Sequence, residues 1–472
     1  MIEEINPIPW TADDIIKASN GKFILNGKNT KFINISIDSR KIKEDEFFIP
    51  IKGANHDAHA FIPDVISKKI KGIMIENNQV NNIAQDILNE FNKNGGIIIG
   101  VDDTLKGLQN LASFQLKRSK ASVIGITGSN GKTSTRSMTS SVVEQRFCTL
   151  STIGNFNNEF GLPLSLLRLN SNHKLAVLEL GMNHKGEISR LCEICQPDIG
   201  VITNIGNAHI EGVGSIEGVM DAKGELLLNM KKNGAAVLNA DNKYTMKLSE
   251  KTDKKILLFG LSQHAEIKAA FLKNNGFGTS FNLILPSGTI DVNLNVPGEF
   301  MVINALAAAS VGYLLNLNID EIKTGLENFK PANHRMNIIK KNSGAHIIDD
   351  TYNANPSSME SAAQTLKSLC NNNQSIFVAG DMFELGINSE ELHRNVGKLI
   401  GKIGIDKLYA SGKFSEFFVE GAKKGGISSK NIFTGSLNDI AKKINAEIQK
   451  NDWILVKGSR MMGMEKLVEQ IN

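Results

Sequence analysis

Ala121–Thr133 reads ASVIGITGSNGKT, and this stretch decides the fold. ASVIGIT is a short apolar run rich in β-branched side chains, and a helical pattern starts near Lys132, so the order is strand, glycine loop, helix. Glycines in such a loop let backbone N–H groups turn toward phosphate oxygens, and the helix N-terminus adds positive dipole. Gly128, Ser129, Asn130, Gly131, Lys132 and Thr133 are therefore the candidate nucleotide cradle. Lys132 is expected to reach the β- and γ-phosphates, and the Thr133 hydroxyl to bind Mg2+. Position 126 is isoleucine, so the motif is a shorter GxxGKT and not the common GxxxxGK[ST]. Alone, such a hexapeptide is also a chance turn; the strand before it and the helix after it argue for a phosphate loop.

Outward from the loop, further apolar strands follow at LAVLELG, IGVITNI and AAVLNAD, separated by helical or glycine-bearing segments. That alternation implies a mainly parallel sheet covered on both faces. A β-rich stretch comes next (KILLFG, EIKAAFL, SFNLILP, TIDVNLNV), then a helix at INALAAASVGYLL. After Pro331 the alternation restarts, with HIIDDTY, SIFVAGD, DKLYASG, NIFTG and DWILVKG each followed by a helix. Those strand–helix units make a self-contained Rossmann-like domain. The first hundred or so residues are mixed: a helix-like start, β-prone FINISIDSR and FFIPIKG, and buried strands IKGIMIE and GGIIIGV bracketing a helix.

Composition bounds the partners. The 472 residues exceed a single core, with 41% hydrophobic and 22% charged side chains as in ordinary globular proteins. No run approaches the roughly 18 apolar residues of a membrane span. The start, MIEEINPIPW, lacks the basic-then-apolar layout of a secretory signal, so a cytoplasmic location is expected. The excess of 53 basic over 49 acidic residues is small and scattered, which argues against nucleic acid. Cys192 and Cys195 form a lone CxxC with no second pair or nearby histidine, so the EISRLCEIC stretch reads as a helix ending before Pro197 with packing cysteines.

Metal–phosphate chemistry needs further ligands at strand ends near the loop. LAVLELG places Glu179 at its C-terminal end, the ligand-binding face of an open α/β sheet. IGVITNIGNAH delivers Asn204 and His209 likewise. A lone glutamate is also an ordinary surface residue and a lone histidine a structural one; successive strand ends favour the ligand reading. Lys223, in MDAKGELL, is an unremarked helix lysine on physical grounds.

GITGSNGKTSTR, TIGNFNNEFGLP, LELGMN, TNIGNAHIEGVGS, AKGELL, NALAAA, ANHRM, DDTYNANPSSM, GDMFELG and KGSRMMGME together resemble the Mur ligases, in order along the chain. SIDSRKIKEDEFFIPIKGANHDAHAFI fits the first domain of such an enzyme. GxxGKT is shared with folylpolyglutamate synthases, which lack that domain, whereas TIGNFNNEFGLP, DDTYNANP and GDMFELG point to the branch that uses D-alanyl-D-alanine. The resemblance implies an α/β chain of three domains. A small mixed, UDP-substrate-binding domain (1–102) and a Rossmann-like C-terminal domain (332–472) flank a central P-loop-type, parallel-sheet ATPase domain (103–331). It implies ATP-dependent joining of D-alanyl-D-alanine to a UDP-N-acetylmuramoyl-tripeptide. The absence of an obvious coiled coil makes a monomer the expectation, with no nucleic-acid partner and no membrane span, as composition argues.

The resemblance also assigns residues. Glu179 and His209 would hold Mg2+, two ions being expected, and Lys223 matches a lysine that is carbamylated in the family. A carbamate turns a cation into an anionic metal ligand, and its formation needs a neutral amine, so a depressed lysine pKa is expected. Arg335 would touch the γ-phosphate, Asn304 the adenine and Asp350 the ribose. Asp38, Ser39 and Arg40 fall in the UDP region, and Asn157 and Asn158 where the uridylated substrate enters; DSR is also a plain turn and NN a plain loop. Phe300 and Met301 stand where the family often has His and Asn. A P-loop kinase or regulatory NTPase is the rival class, and a noncatalytic nucleotide-binding scaffold is another.

Overall fold

The computed structural model describes residues 8–28, 31–53 and 56–471. The acidic start read as lacking a signal lies mostly outside these residues, as do Ala54 and Asn55 of the GANHDAHAF run. The chain forms two compact units: one holds 1–124, 147–180 and 190–197, the other 125–146, 181–189 and 198–472.

The first unit opens with helix Ala12–Ser19, started by a capping box in which Thr11 and Asp14 exchange side-chain-to-backbone hydrogen bonds. A five-stranded sheet follows, in the order Lys22–Leu25, Ile97–Val101, Gly72–Glu76, Glu46–Phe48, Asn34–Ser36. All neighbours are parallel except Lys22–Leu25, which runs antiparallel along one edge. IKGIMIE and GGIIIGV are interior strands, buried on both faces as their unbroken apolar runs demand. Phe48, Ile73, Ile75 and Ile98 pack with Ile62, Val65 and Phe91 from the covering helices. In the same unit Leu175–Glu179 lies parallel to Thr149–Ser151, and Glu179 is the last residue of its strand.

Ser122–Thr127 carries the chain into the second unit and ends at the phosphate loop. There Ile199–Ile202, Ala235–Asn239 and Lys255–Gly260 run parallel. Ile267–Asn274 joins them, and Thr279–Leu285 and Gly288–Leu294 extend the array antiparallel. Helix Glu299–Leu314 is apolar nearly all round and accordingly buried, against the phosphate-loop helix Lys132–Val143.

The last sheet has six strands, in the order Asn337–Lys340, His346–Asp349, Trp453–Lys457, Ser375–Gly380, Lys407–Ser411, Ile432–Thr434. Five are parallel, as the strand–helix alternation requires, and Asn337–Lys340 adds an antiparallel edge. Ile347, Ile376, Val378, Ile454 and Val456 form its core with Ile440, Ile444 and Leu467. The carboxyl ends of the parallel strands present Asp350 and Lys457 on one edge, where ligands bind in open α/β sheets.

Candidate active site

The phosphate loop is held from beneath by the turn after strand Ile199–Ile202. Ser129 donates its backbone N–H to Asn204 O at 2.9 Å and its hydroxyl to Gly206 O at 3.0 Å. The Asn130 N–H reaches Asn204 Oδ1 at 3.0 Å, and the Thr203 hydroxyl donates to Asn130 O at 2.6 Å. Gly128 and Gly131 take φ values of +151° and +79°, open to glycine at little cost. Helix Lys132–Val143 starts at Gly131 with no side-chain cap, so its first N–H groups are directed at the loop's concave side. The Lys132 ammonium folds back on Gly128 O at 2.8 Å, a site an incoming phosphate competes for. Thr133 is buried at the loop's end.

Lys223 stands on helix Ile216–Asn229 and is 1% exposed. Burial first, and the neighbouring Lys132 charge second, push its ammonium pKa well below the ordinary lysine value. The resemblance led to this expectation, whereas the residues alone did not: in MDAKGELL nothing distinguishes Lys223 from a solvated helix lysine. A depressed amine is what carbamate formation needs, so the site fits that modification. His209 sits at φ +57° and its Nδ1 lies 2.7 Å from a Glu384 carboxylate oxygen. That contact holds the Glu384 carboxyl below the usual range, helped by Lys132.

Asn304 is 4% exposed and packed behind the loop: a Cβ on Gly131 would come 2.3 Å from its Oδ1. Its amide accepts from the Thr135 hydroxyl at 3.3 Å and meets Met301 Sδ at 3.7 Å, so Met301 at the departed family position is part of the same buried contact. Arg335 lies between His334 and Met336, both at positive φ, and stacks on Tyr352 with 4.0 Å from guanidinium to ring. Asp350 accepts from the Met336 N–H and pairs with the Lys457 ammonium, which is 3% exposed and also donates to Asn353 O at 2.9 Å.

In the first unit, Glu179 is buried and accepts from Asn157 Nδ2 at 2.9 Å, while its N–H bonds to Thr152 Oγ1. Asn158 Oδ1 instead caps its own loop, receiving the Gly161 N–H at 2.8 Å. Asp38, Ser39 and Arg40 form a turn: Arg40 is bidentate to Asp38, which lowers the Asp38 carboxyl pKa to about 2, and Lys68 donates to Ser39 O and Arg40 O. The second unit thus gathers Gly128–Thr133, Lys223 and Asn304 around one loop and sets Arg335 beside Asp350. Reasoning from the residues assigned no role to Tyr352, Asn355, Ser357, Glu384 or Lys457, although all lie in the quoted family-like segments. Among the described residues no three His, Cys, Asp or Glu side chains gather as a ready metal cage. Magnesium bound through phosphates needs only one or two protein oxygens, so the donor set suits it.

Residues 126–312 match the Mur ligase middle domain and 334–460 the Mur ligase glutamate ligase domain. The chain is 36% identical to the UDP-N-acetylmuramoyl-tripeptide–D-alanyl-D-alanine ligase of Buchnera aphidicola subsp. Baizongia pistaciae, over 93% of this chain and 92% of that one. It superposes on MurF from Acinetobacter baumannii with a TM-score of 0.89 at 30% identity, covering 99% of both chains. Against the ADP complex of MurF from Thermotoga maritima the TM-score is 0.82 at 27% identity, over 93% of this chain and 96% of that one. With both domain models matched and this likeness over nearly the whole chain, the three-domain α/β chain belongs to the Mur ligase family.

Proposed function

We infer that this chain is an ATP-dependent, ADP-forming ligase that joins D-alanyl-D-alanine to a UDP-N-acetylmuramoyl-tripeptide, making the pentapeptide precursor of peptidoglycan. The observation that carries the reading is the pairing of the Lys132 phosphate loop with a buried, charge-depressed Lys223 in a chain similar end to end to ligases of that activity.

A free carboxylate is a poor electrophile because its charge is delocalised and its leaving group would be oxide. Transfer of the ATP γ-phosphoryl group gives an acyl phosphate, whose leaving group is phosphate. The dipeptide amine then attacks the acyl carbon, and the tetrahedral intermediate collapses to a peptide bond. Little covalent work falls to the protein, which positions groups and neutralises charge. Gly128–Thr133 would cradle the phosphates, with Lys132 leaving its carbonyl partners to follow the transferred group. Arg335 is assigned to the γ-phosphate, Asn304 to adenine and Asp350 to ribose.

Thr133, Glu179, His209 and a carbamylated Lys223 would hold two Mg2+ ions, which when bound would supply neutralisation of phosphate charge. Burial disfavours the charged form of Lys223, so its deprotonated amine would add to CO2 and lose a proton to become the carbamate. Asp38, Ser39, Arg40, Asn157 and Asn158 are assigned to the uridylated substrate. We assign the three domains to 1–102, 103–331 and 332–472, in a cytoplasmic monomer.

Phosphate release tests the reading. A ligase releases phosphate only when the tripeptide acid and the dipeptide amine are both present. Release without the amine would favour a kinase or regulatory NTPase, and binding without turnover a scaffold.

A further inference from the structure

The Asn130 side chain is hydrogen-bonded by the segment that follows strand His346–Asp349, 225 residues away in sequence. Asn355 Nδ2 donates to Asn130 Oδ1 at 2.7 Å, Asn130 Nδ2 donates to Ser357 Oγ at 2.7 Å, and the Ser357 hydroxyl donates to Asn355 Oδ1 at 3.1 Å. The three side chains close a ring in which each group gives one hydrogen bond and takes one.

The ring's direction is fixed by chemistry. Asn355 is the N-cap of helix Pro356–Cys370, and its Oδ1 accepts the Ser358 N–H at 2.9 Å. Its Nδ2 is therefore the atom turned to Asn130, and Asn130 must answer with Oδ1 and present its own Nδ2 to Ser357. Asn355 is only 9% exposed, and Pro356 and the reciprocal Ser358 contact hold its backbone. On its other side Asn130 is fixed through its backbone by Thr203 and Asn204. Asn130 is thus gripped between the central sheet below and the Rossmann-like domain above, in the middle of the nucleotide loop.

We propose that Asn355 and Ser357 are positioning residues for the nucleotide: acting through Asn130, they give the phosphate loop its binding shape only while the Rossmann-like domain is seated on it. The proposal rests on the ligase reading and adds to it a route by which domain seating and nucleotide binding strengthen each other by the same factor. It also gives the NANPS run a task that its helix-capping alone does not explain.

The test measures MgADP affinity by calorimetry, KM and kcat for ATP, and thermal unfolding of the nucleotide-free full chain. Asn355→Asp keeps the cap but turns an acceptor toward Asn130 Oδ1; Ser357→Ala removes one ring member without adding charge. Each is expected to weaken MgADP and raise KM for ATP about tenfold, the equivalent of ~1.4 kcal/mol. The unfolding midpoint stays at that of the parent, and Ser357→Thr, which keeps the hydroxyl, restores binding. Adding Ser357→Ala to Asn130→Ala should cost nothing further, since both act through one contact. Unchanged affinity in Ser357→Ala overturns the proposal, even if Asn355→Asp binds poorly, because charge alone then explains the latter. Additive losses overturn it too. Failure of the parent chain to bind MgADP at all overturns the nucleotide reading itself, and this proposal with it.

Discussion

A single methyl group at Gly128 should disable the nucleotide site while leaving the fold standing. Gly128 has φ +151°, and a Cβ there would lie 1.9 Å from Thr203 Oγ1, 3.1 Å from Thr203 Cβ and 3.2 Å from its nitrogen. Contact distance for such atoms is about 3.5 Å, so either the loop or Thr203 must move. Thr203 is buried and its hydroxyl donates to Asn130 O beside Asn204 Nδ2, so moving it costs the loop's central carbonyl one of these two hydrogen bonds. Backbone strain of this kind costs ~1–3 kcal/mol and the lost hydrogen bond about 1 kcal/mol. Charged against the binding shape of the loop, a sum of about 3 kcal/mol corresponds to affinity lost on the order of 10²-fold. Calorimetric titration of Gly128→Ala with MgADP reads this directly, with circular dichroism as the control for folding. Gly128→Ala/Thr203→Ala removes the atom at 1.9 Å and should recover part of the affinity. A folded Gly128→Ala chain that binds MgADP as tightly as the parent would refute the reasoning.

Three further outcomes follow from the same geometry. Lys132→Ala should lower the rate of product formation on the order of 10²–10³-fold, as loss of one transition-state contact does; near-normal turnover in a single-turnover assay excludes its assigned role. Lys223→Ala should lose activity that small carboxylates partly restore by filling the carbamate's place, and absence of rescue counts against the carbamate alone. Glu447 accepts from Lys443, Lys407 and Tyr409, which lowers its carboxyl pKa from 4.5 to about 2. A depressed acid stabilises the fold fully above its unfolded pKa and loses that contribution as pH falls through the folded one. The gap in unfolding midpoint between the parent and Glu447→Gln should therefore be full above pH 4.5 and close toward pH 2; a gap independent of pH rules out the paired carboxylate as its source.

Local pattern disclosed the strands and the loop because each is a contiguous run whose burial is written in its own residues. Ile97–Val101 of GGIIIGV is buried along its whole length and Glu179 ends its strand, as apolar runs and strand ends predict. The edge strands Lys22–Leu25 and Asn337–Lys340 escaped because neither is half-buried: their residues are exposed or intermediate throughout, so no alternation marks them. Lys457 escaped for another reason. Its pairing with Asp350 joins residues 107 apart, and period along the chain says nothing about which strand ends become neighbours. The Asn130 ring has the same character, as does His209 with Glu384. Lys223 was marked by the family resemblance alone; its physical cause, a lysine desolvated next to another cation, shows only in the folded chain.

The central claim is tested most directly by the mass of the product. The full chain is incubated with ATP, Mg2+, D-alanyl-D-alanine and a UDP-N-acetylmuramoyl-tripeptide carrying lysine or diaminopimelate. The account predicts a UDP-linked species heavier than the tripeptide by the dipeptide less one water, formed in step with ADP and phosphate and absent when any substrate is left out. ADP and phosphate accumulating without that species, or no consumption of ATP with either tripeptide, would contradict it.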